Sequence, residues 1–330
     1  MKKTIKTIIT VLLILIIIAV VGSLFYLKWM INSKAGDSNT YKVFEVKQGE
    51  TTLSIAERLK AKNLIKSELI FVLNARVKSQ PLQAGYYNLA PNMTMLDIFN
   101  RISSGDTNIT KATIPEGYRV EQIAQVLSEK GITDYATFVE SAKQYEGRLF
   151  PDTYFFPDGV TNDEIIKMML DDFSERTKDL TVTDEDLIIA SIVEREASKD
   201  EERPIIAGVY KNRVARGMKW EADPTVQYGR DDLSLAKLTS DEKKDFKFWK
   251  SITLADYQGI DSIYNTYKII GYTPGPICNP GLKSIEATIN YTHHKYLFFL
   301  QRDGEIYPAE TLEGHNANRR NVLGVKTKNL

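Results

Sequence analysis

The sequence predicts an α+β protein: one N-terminal apolar helix, a small α+β module, then a larger α+β domain built round a buried helix. Three observations predict it. An uncharged run from Thr7 to Leu27 follows a cluster of lysines. Between Tyr41 and Thr107, strand-forming clusters alternate with amphipathic runs that open on Ser or Thr. After Thr107 the pattern restarts, and one later segment, Leu187 to Val193, is apolar on nearly every side. A length of 330 residues suits about two domains at roughly 150 residues each.

The run Thr7–Leu27 holds 21 residues, long enough to cross a bilayer as a helix. Lys2, Lys3 and Lys6 precede it, which favours a cytoplasmic N-terminus. A cleaved signal peptide would have a shorter apolar region, about 7–15 residues, ending in an A-x-A-like site. No such site stands before Lys28, and no lipid-accepting cysteine follows the run. The reading is an uncleaved single-pass anchor, with Ser38 onward outside the cytoplasm and residues 1–39 forming the N-terminus, anchor and linker.

Residues 40–107 read as the small module. Tyr41, Val43, Phe44 and Val46 favour a strand, and Gln48-Gly49-Glu50 turns the chain. Thr51-Thr52 opens a helix carrying Leu53, Ile55, Ala56 and Leu59. Asn63-Leu64-Ile65 ends it, and Ser67 caps a second helix through Val77. Gly85–Leu89 is a returning strand. Thr94 caps a third helix, Met95–Ile102, stopped by Ser103-Ser104-Gly105.

Residues 108–330 form the second domain. A strand covers Ile109–Ile114, and Pro115-Glu116-Gly117 follows it. Helices are predicted at Val120–Glu129, Tyr135–Gln144, Thr161–Lys178, Glu185–Ala197 and Arg203–Arg216, with Pro204 in the first turn of the last. Gly217 to Gly281 reads as loop-rich, ending in the stiff Pro274–Gly281 stretch. Ser284–Tyr291 is helical. Tyr296–Gln301 and Glu305–Tyr307 form a hairpin round Asp303-Gly304. Thr311 opens the terminal helix. Asn108-Ile109-Thr110 matches a glycosylation acceptor by pattern only.

Composition excludes several function classes. Lys+Arg and Asp+Glu are both 43, a net charge of zero. Setting aside Lys2, Lys3, Lys6, Lys28, Lys34 and Asp37 leaves the remainder four charges negative. Bulk attraction to nucleic acid or anionic lipid is not expected. No Walker or GxGxxG loop is present. Cys278 is the single cysteine, so an intrachain disulfide is impossible. The histidines are His293, His294 and His315, with no HExxH helix, so neither a metal nor another cofactor is expected.

The buried run Leu187–Val193 leads straight into Glu194-Arg195-Glu196. Carboxylates at such a place are either paired or functionally shifted. Glu196 extends the stripe of Ile189, Ile192 and Val193, whereas Glu194 follows Leu187 and Ala190. At i, i+2 the two point roughly 200° apart. They cannot flank one sugar as the paired acids of an ordinary glycosidase do. A structural ion pair with Arg195 or Arg203 is the competing reading for either. Ser234-Leu-Ala-Lys237 matches S-x-x-K, but the S-D-N and K-T-G partners are absent. Cys278 has no neighbouring base in sequence and reads as a small loop residue.

Several strings taken together resemble one family. They are Ala190-Ser-Ile-Val-Glu-Arg-Glu196-Ala, Val209-Tyr-Lys-Asn-Arg213, Ala222-Asp-Pro-Thr-Val226, Tyr264-Asn-Thr-Tyr267 and Pro274-Gly-Pro-Ile-Cys-Asn-Pro-Gly281. Pro115-Glu-Gly117, Pro151-Asp-Thr-Tyr154 and His315-Asn316 fit in order and spacing. From Tyr41 to the C-terminus the chain resembles the YceG-like family, the endolytic murein transglycosylases. Gly271-Tyr-Thr-Pro274 departs from the more usual Leu-Pro before the proline.

The resemblance implies a bacterial membrane anchor, a LysM-like module and a domain that cleaves the β-1,4 bond from N-acetylmuramic acid to N-acetylglucosamine, leaving 1,6-anhydromuramic ends. It implies that Glu196 is the catalytic acid. No second carboxylate is needed, because the muramic C6 hydroxyl attacks its own C1. Glu194 either orients the site or forms an ion pair. Asp223, Thr225, Asn265, Tyr267 and Asn279 offer the hydrogen bonds and stacking that sugars need, and His315-Asn316 holds the terminal helix against the cleft. Peptidoglycan strands are the implied substrate, with membrane peptidoglycan synthases and penicillin-binding proteins as implied partners, in a role that ends glycan elongation. Two alternatives stay open: a non-catalytic glycan-binding scaffold, and a muramidase that pairs Glu196 with Asp223.

Overall fold

The computed structural model describes residues 2–38, 41–107 and 109–324. Asn108, the acceptor of the glycosylation pattern, lies outside the described residues, as does the end of the predicted linker at Asn39. The chain is a mixed α/β protein that divides into two compact units, residues 1–110 and 111–330.

In the first unit, α1 spans Lys2–Ile31. Its segment Thr10–Ile31 is long and apolar enough to cross a membrane, with a mean hydropathy of 2.8. The last turn enters the core of the unit: Met30 is buried, with Leu27 and Ile31 packed beside it. Strand β1 (Lys42–Val46), α2 (Thr52–Ala61), α3 (Glu68–Lys78), β2 (Gly85–Leu89) and α4 (Met95–Ser104) follow. β1 and β2 pair antiparallel with Phe44 opposite Tyr87. Alternation puts Phe44, Val46, Tyr87 and Leu89 on the buried face, where Ile55, Leu59, Phe71 and Phe99 meet them. The predicted caps form: Thr51, Ser67 and Thr94 each accept a backbone N–H of the first turn. Gly105 ends α4 in the left-handed region (φ 70°), where glycine carries no steric cost.

Strand β3 (Ile109–Thr113), whose last three residues open the second unit, pairs with β4 (Thr153–Pro157). Between them lie α5 (Val120–Glu129) and α6 (Tyr135–Ala142). Helix α7 (Asn162–Arg176) completes a core round Ile123, Leu127, Phe138 and Met169. Helix α8 (Asp184–Glu196) is central: α9 (Arg203–Ala215), α10 (Asp223–Leu235) and α13 (Leu282–Ile289) all pack on it. Short helices α11 (Ser240–Lys244) and α12 (Leu254–Gly259) precede α13. A hairpin of β5 (Gln301–Arg302) and β6 (Glu305–Ile306) turns at Asp303 and Gly304, both at positive φ. Such a pair of angles suits a two-residue hairpin turn. Helix α14 (Leu312–Leu323) ends the described chain.

Two expectations are corrected. The stretch 217–281 is not uniformly loop, because α10 runs for 13 residues within it. Pro224 in the first turn starts that helix, where its missing N–H costs nothing. Its charged residues are tied to the fold and do not mark an exposed loop: Asp231 is buried and accepts the N–H of Trp249 at 2.9 Å, and the partly exposed Asp232 pairs with the buried Arg119. Strand β4, rich in aromatic β-formers, was not anticipated.

Candidate functional site

Helix α8 is set up to carry a carboxylate at its far end. Thr183 and Asp186 form a capping box, and the acids of the first turn favour the positive end of the helix dipole. Leu187 to Val193 are all buried. Two turns of buried contact therefore fix the axis before the chain reaches Glu194 and Glu196.

The two glutamates part as their spacing requires. Glu194 accepts the N–H of Gly281 at 3.0 Å and lies 3.3 Å from Arg203 Nη1. A Cβ at Gly281 would collide with the carboxylate of Glu116, so this close approach needs glycine. Between the two glutamates, Arg195 lays its guanidinium over the Trp249 ring, 4.3 Å from the centroid.

Glu196 instead lines an open cavity of about 540 Å³, together with Tyr210, Arg213, Asp223, Tyr257 and Tyr267. It is half-buried, and the Tyr210 hydroxyl donates to Oε1 at 3.4 Å. Its carboxyl is pushed up to about 7, first by burial and then by the negative charge of Asp223, against the pull of Tyr210, Arg195 and Arg213. An acid poised there holds its proton near neutral pH and can still release it.

Asp223 is the first residue of α10. Tyr267 donates its hydroxyl to Oδ1 at 2.7 Å, and the Tyr257 hydroxyl lies 3.5 Å from Oδ2. The two rings are 4.3 Å apart. Burial and the Asp223 carboxylate raise the Tyr267 phenol well above its usual range. Arg213 reaches the cavity from α9 and is braced by the carbonyls of Leu297 (2.6 Å) and Trp220 (2.5 Å).

The structure brings Asp223, Tyr267, His315 and Asn316 to the Glu196 cavity. His315 stacks on Phe298 at 5.6 Å, and burial lowers its basicity. The other residues singled out in the sequence serve behind the walls. Thr225 bonds to the Ala222 carbonyl (2.7 Å) and the Thr266 hydroxyl (2.8 Å), fixing the start of α10. Asn265 donates to the carbonyls of Tyr257 and Ile260 and accepts the N–H of Tyr267, so it builds the turn that presents both tyrosines. Asn279 accepts from Gly147 and Leu149 and donates to Tyr118 and Glu146, which pins the Pro/Gly stretch.

Sequence reasoning missed Tyr210, Arg213 and Tyr257. Tyr210 and Arg213 stand at i, i+3 on one helix face, a signal present in the Val209–Arg213 string. Tyr257 carried none. Cys278 is buried with its thiol pushed well up, so it is no nucleophile. Ser234 donates to the Arg230 carbonyl inside α10, rather than standing in a loop. Among the described residues no three His, Cys, Asp or Glu side chains form a metal-binding group.

The model of the YceG-like family matches residues 44–321. An endolytic murein transglycosylase of Bacillus subtilis (strain 168) is 30% identical over 346 residues, covering 93% of this chain and 92% of its own. An endolytic murein transglycosylase of Streptococcus pneumoniae (strain D39) is 30% identical over 355 residues, covering 90% of this chain. The chain spans 62% of the length of that pneumococcal relative. The 2.6 Å crystal structure of a YceG-like protein from Listeria monocytogenes superimposes with a TM-score of 0.51 at 30% identity, covering 85% of this chain and 99% of that one.

Proposed function

The chain belongs to the YceG-like family, and from that membership we propose that it is a membrane-anchored endolytic peptidoglycan lytic transglycosylase. The observation that carries the reading is Glu196: one carboxylic acid, protonated near neutrality, on the wall of an open cavity and held by Tyr210. The names of the relatives supply the substrate class, peptidoglycan glycan strands.

Glu196 protonates the glycosidic oxygen as the C1–O bond breaks, and the bonding pair stays on that oxygen. The C6 hydroxyl of the same muramic residue then bonds to C1, and its proton returns to Glu196. A single group thus acts as acid and then as base, and no water enters. The product ends in 1,6-anhydromuramic acid.

The apolar helix Thr10–Ile31 supports the anchor: leaving out its last turn, which packs in the core of the first unit, the uncharged residues Thr7–Tyr26 extend about 30 Å at 1.5 Å per residue, the thickness of a hydrocarbon core. We read residues 40–107 as the LysM-like module, two helices carried between paired strands, and residues 108–330 as the catalytic domain. The site then works outside the cytoplasm on nascent strands beside the membrane synthases and penicillin-binding proteins, ending their elongation.

The test is incubation of the full chain with uncrosslinked glycan strands, followed by mass spectrometry of the new ends. Anhydro ends that vanish in Glu196→Gln establish the reading. Reducing ends replace it with a muramidase, and no cleavage in lipid or detergent replaces it with a glycan-binding scaffold.

A further inference from the structure

Two carboxylates line the Glu196 cavity besides Glu196 itself, and their surroundings differ. Glu221 is paired with Arg213 at 3.4 Å. Asp223 has no cation on it among the described residues: its donors are the hydroxyls of Tyr267 and Tyr257. A carboxylate so placed has been given hydrogen bonds but no counter-charge, next to an acid that must carry a proton.

We propose that Asp223 is a second catalytic residue of this site, a carboxylate fixed by Tyr267 and Tyr257 that faces the positive charge developing at the anomeric carbon while Glu196 transfers the proton. The proposal rests on the transglycosylase reading and adds a role to it. In the step written above, Asp223 forms no bond and exchanges no proton. It lowers the energy of the oxocarbenium-like state, a charge that exists only near the transition state and is stabilised most by groups already oriented toward it. The tyrosines do that orienting. They occupy one lone pair on each oxygen, leaving others open to the cavity. Asn265 fixes the turn that carries both tyrosines, so the arrangement is built before substrate arrives.

The other charged and titratable groups round Glu196 come from several elements. Arg195 lies on α8 with its guanidinium over Trp249. Tyr210 and Arg213 come from α9, Asp223 from α10, Tyr257 from α12, and His315 and Arg319 from α14, with Tyr267 and the Arg213-paired Glu221 completing the set. Of these, Asp223 is the group that opposes ionisation of Glu196. Removing its charge therefore makes Glu196 lose its proton at lower pH.

The experiment measures kcat and KM for anhydro-end formation across pH 5–9 with the full chain, its Asp223→Asn, Asp223→Glu and Tyr257→Phe/Tyr267→Phe variants, and Glu196→Gln. Asp223→Asn is expected to lower kcat about a hundredfold with KM within about threefold, and to move the alkaline limb of kcat/KM to lower pH. Asp223→Glu should return the limb toward its original position. The double Phe variant, which leaves Asp223 in place, should lower kcat about tenfold and keeps the test open should Asp223→Asn fail to fold. The proposal is overturned by Asp223→Asn with kcat within about threefold of the parent, or by a fall in kcat with the alkaline limb unmoved. An inactive Glu196→Gln beside a fully active Asp223→Asn removes this role alone. Reducing ends from the parent chain remove the transglycosylase reading itself, making Asp223 the base for water.

Discussion

The hydroxyl of Ser191 accepts the N–H of Ile277 over 3.0 Å and donates its own proton to the carbonyl of Ile188 over 2.7 Å. One small side chain thereby joins helix α8 to the Pro/Gly stretch, and both partners are buried. Ser191→Ala leaves the Ile277 N–H without a partner away from water, which costs about 1–3 kcal/mol. A melting temperature lower by several degrees is expected, with smaller losses in cleavage. An unchanged melt would mean that the loop finds another acceptor.

Glu196 should cost stability in return for function. Its carboxyl is raised to about 7 in the fold against 4.5 unfolded, so between those values the folded state holds the extra proton. Stability then falls as pH rises from 4.5 through 7. Glu196→Gln, which cannot ionise, should be more stable than the parent at pH 8 by on the order of 1–3 kcal/mol and indistinguishable at pH 4. Denaturant melts at both values check this. Equal differences at the two would show that the effect is packing.

A separate buried network should dominate the acid side. Burial alone would raise Glu121, but Arg119 and Lys143, 2.6 and 2.7 Å away, hold its carboxyl down to about 2. This contribution is fully present above pH 4.5 and is lost as pH falls toward 2. Glu121→Gln leaves Arg119 buried with one partner fewer, a change that costs about 3–5 kcal/mol. Its unfolding free energy should depend less on pH in that acidic window than the parent's.

Gly208 marks where α9 touches the segment after α13. A Cβ there would stand 2.6 Å from the Thr292 carbonyl oxygen and 2.6 Å from His294 Nε2. Gly208→Ala must push that backbone away, at about 1–3 kcal/mol. Since α9 carries Tyr210 and Arg213, cleavage should fall more than Ser191→Ala makes it fall. A variant with parental activity and melting temperature would show that the 292–294 segment yields freely.

Helix α8 was legible because a run of seven residues, 187–193, holds six apolar side chains and only Ser191 among them, which leaves no polar face. It made the divergence of Glu194 and Glu196 legible because helical geometry depends on spacing alone. Helix α10 was hidden because its acids looked like surface residues. Asp231 is buried and accepts the Trp249 N–H, while Asp232, still partly exposed, pairs with the buried Arg119. Both partners lie far away in sequence. Tyr257 was invisible for the same reason: what brings it to Asp223 is the turn organised by Asn265, not a pattern of its own. Asn265 and Thr225 were noticed as polar residues among loops, but complete burial gives their hydrogen bonds to the backbone and to each other's neighbours rather than to the cavity.

Met30 in the core of the first unit, flanked by Leu27 and Ile31, makes α1 an axle rather than a tether. Helix and module turn together, so any torque on the apolar helix sets the azimuth of the β1–β2 face directly. A flexible stalk would have let that face average over all headings.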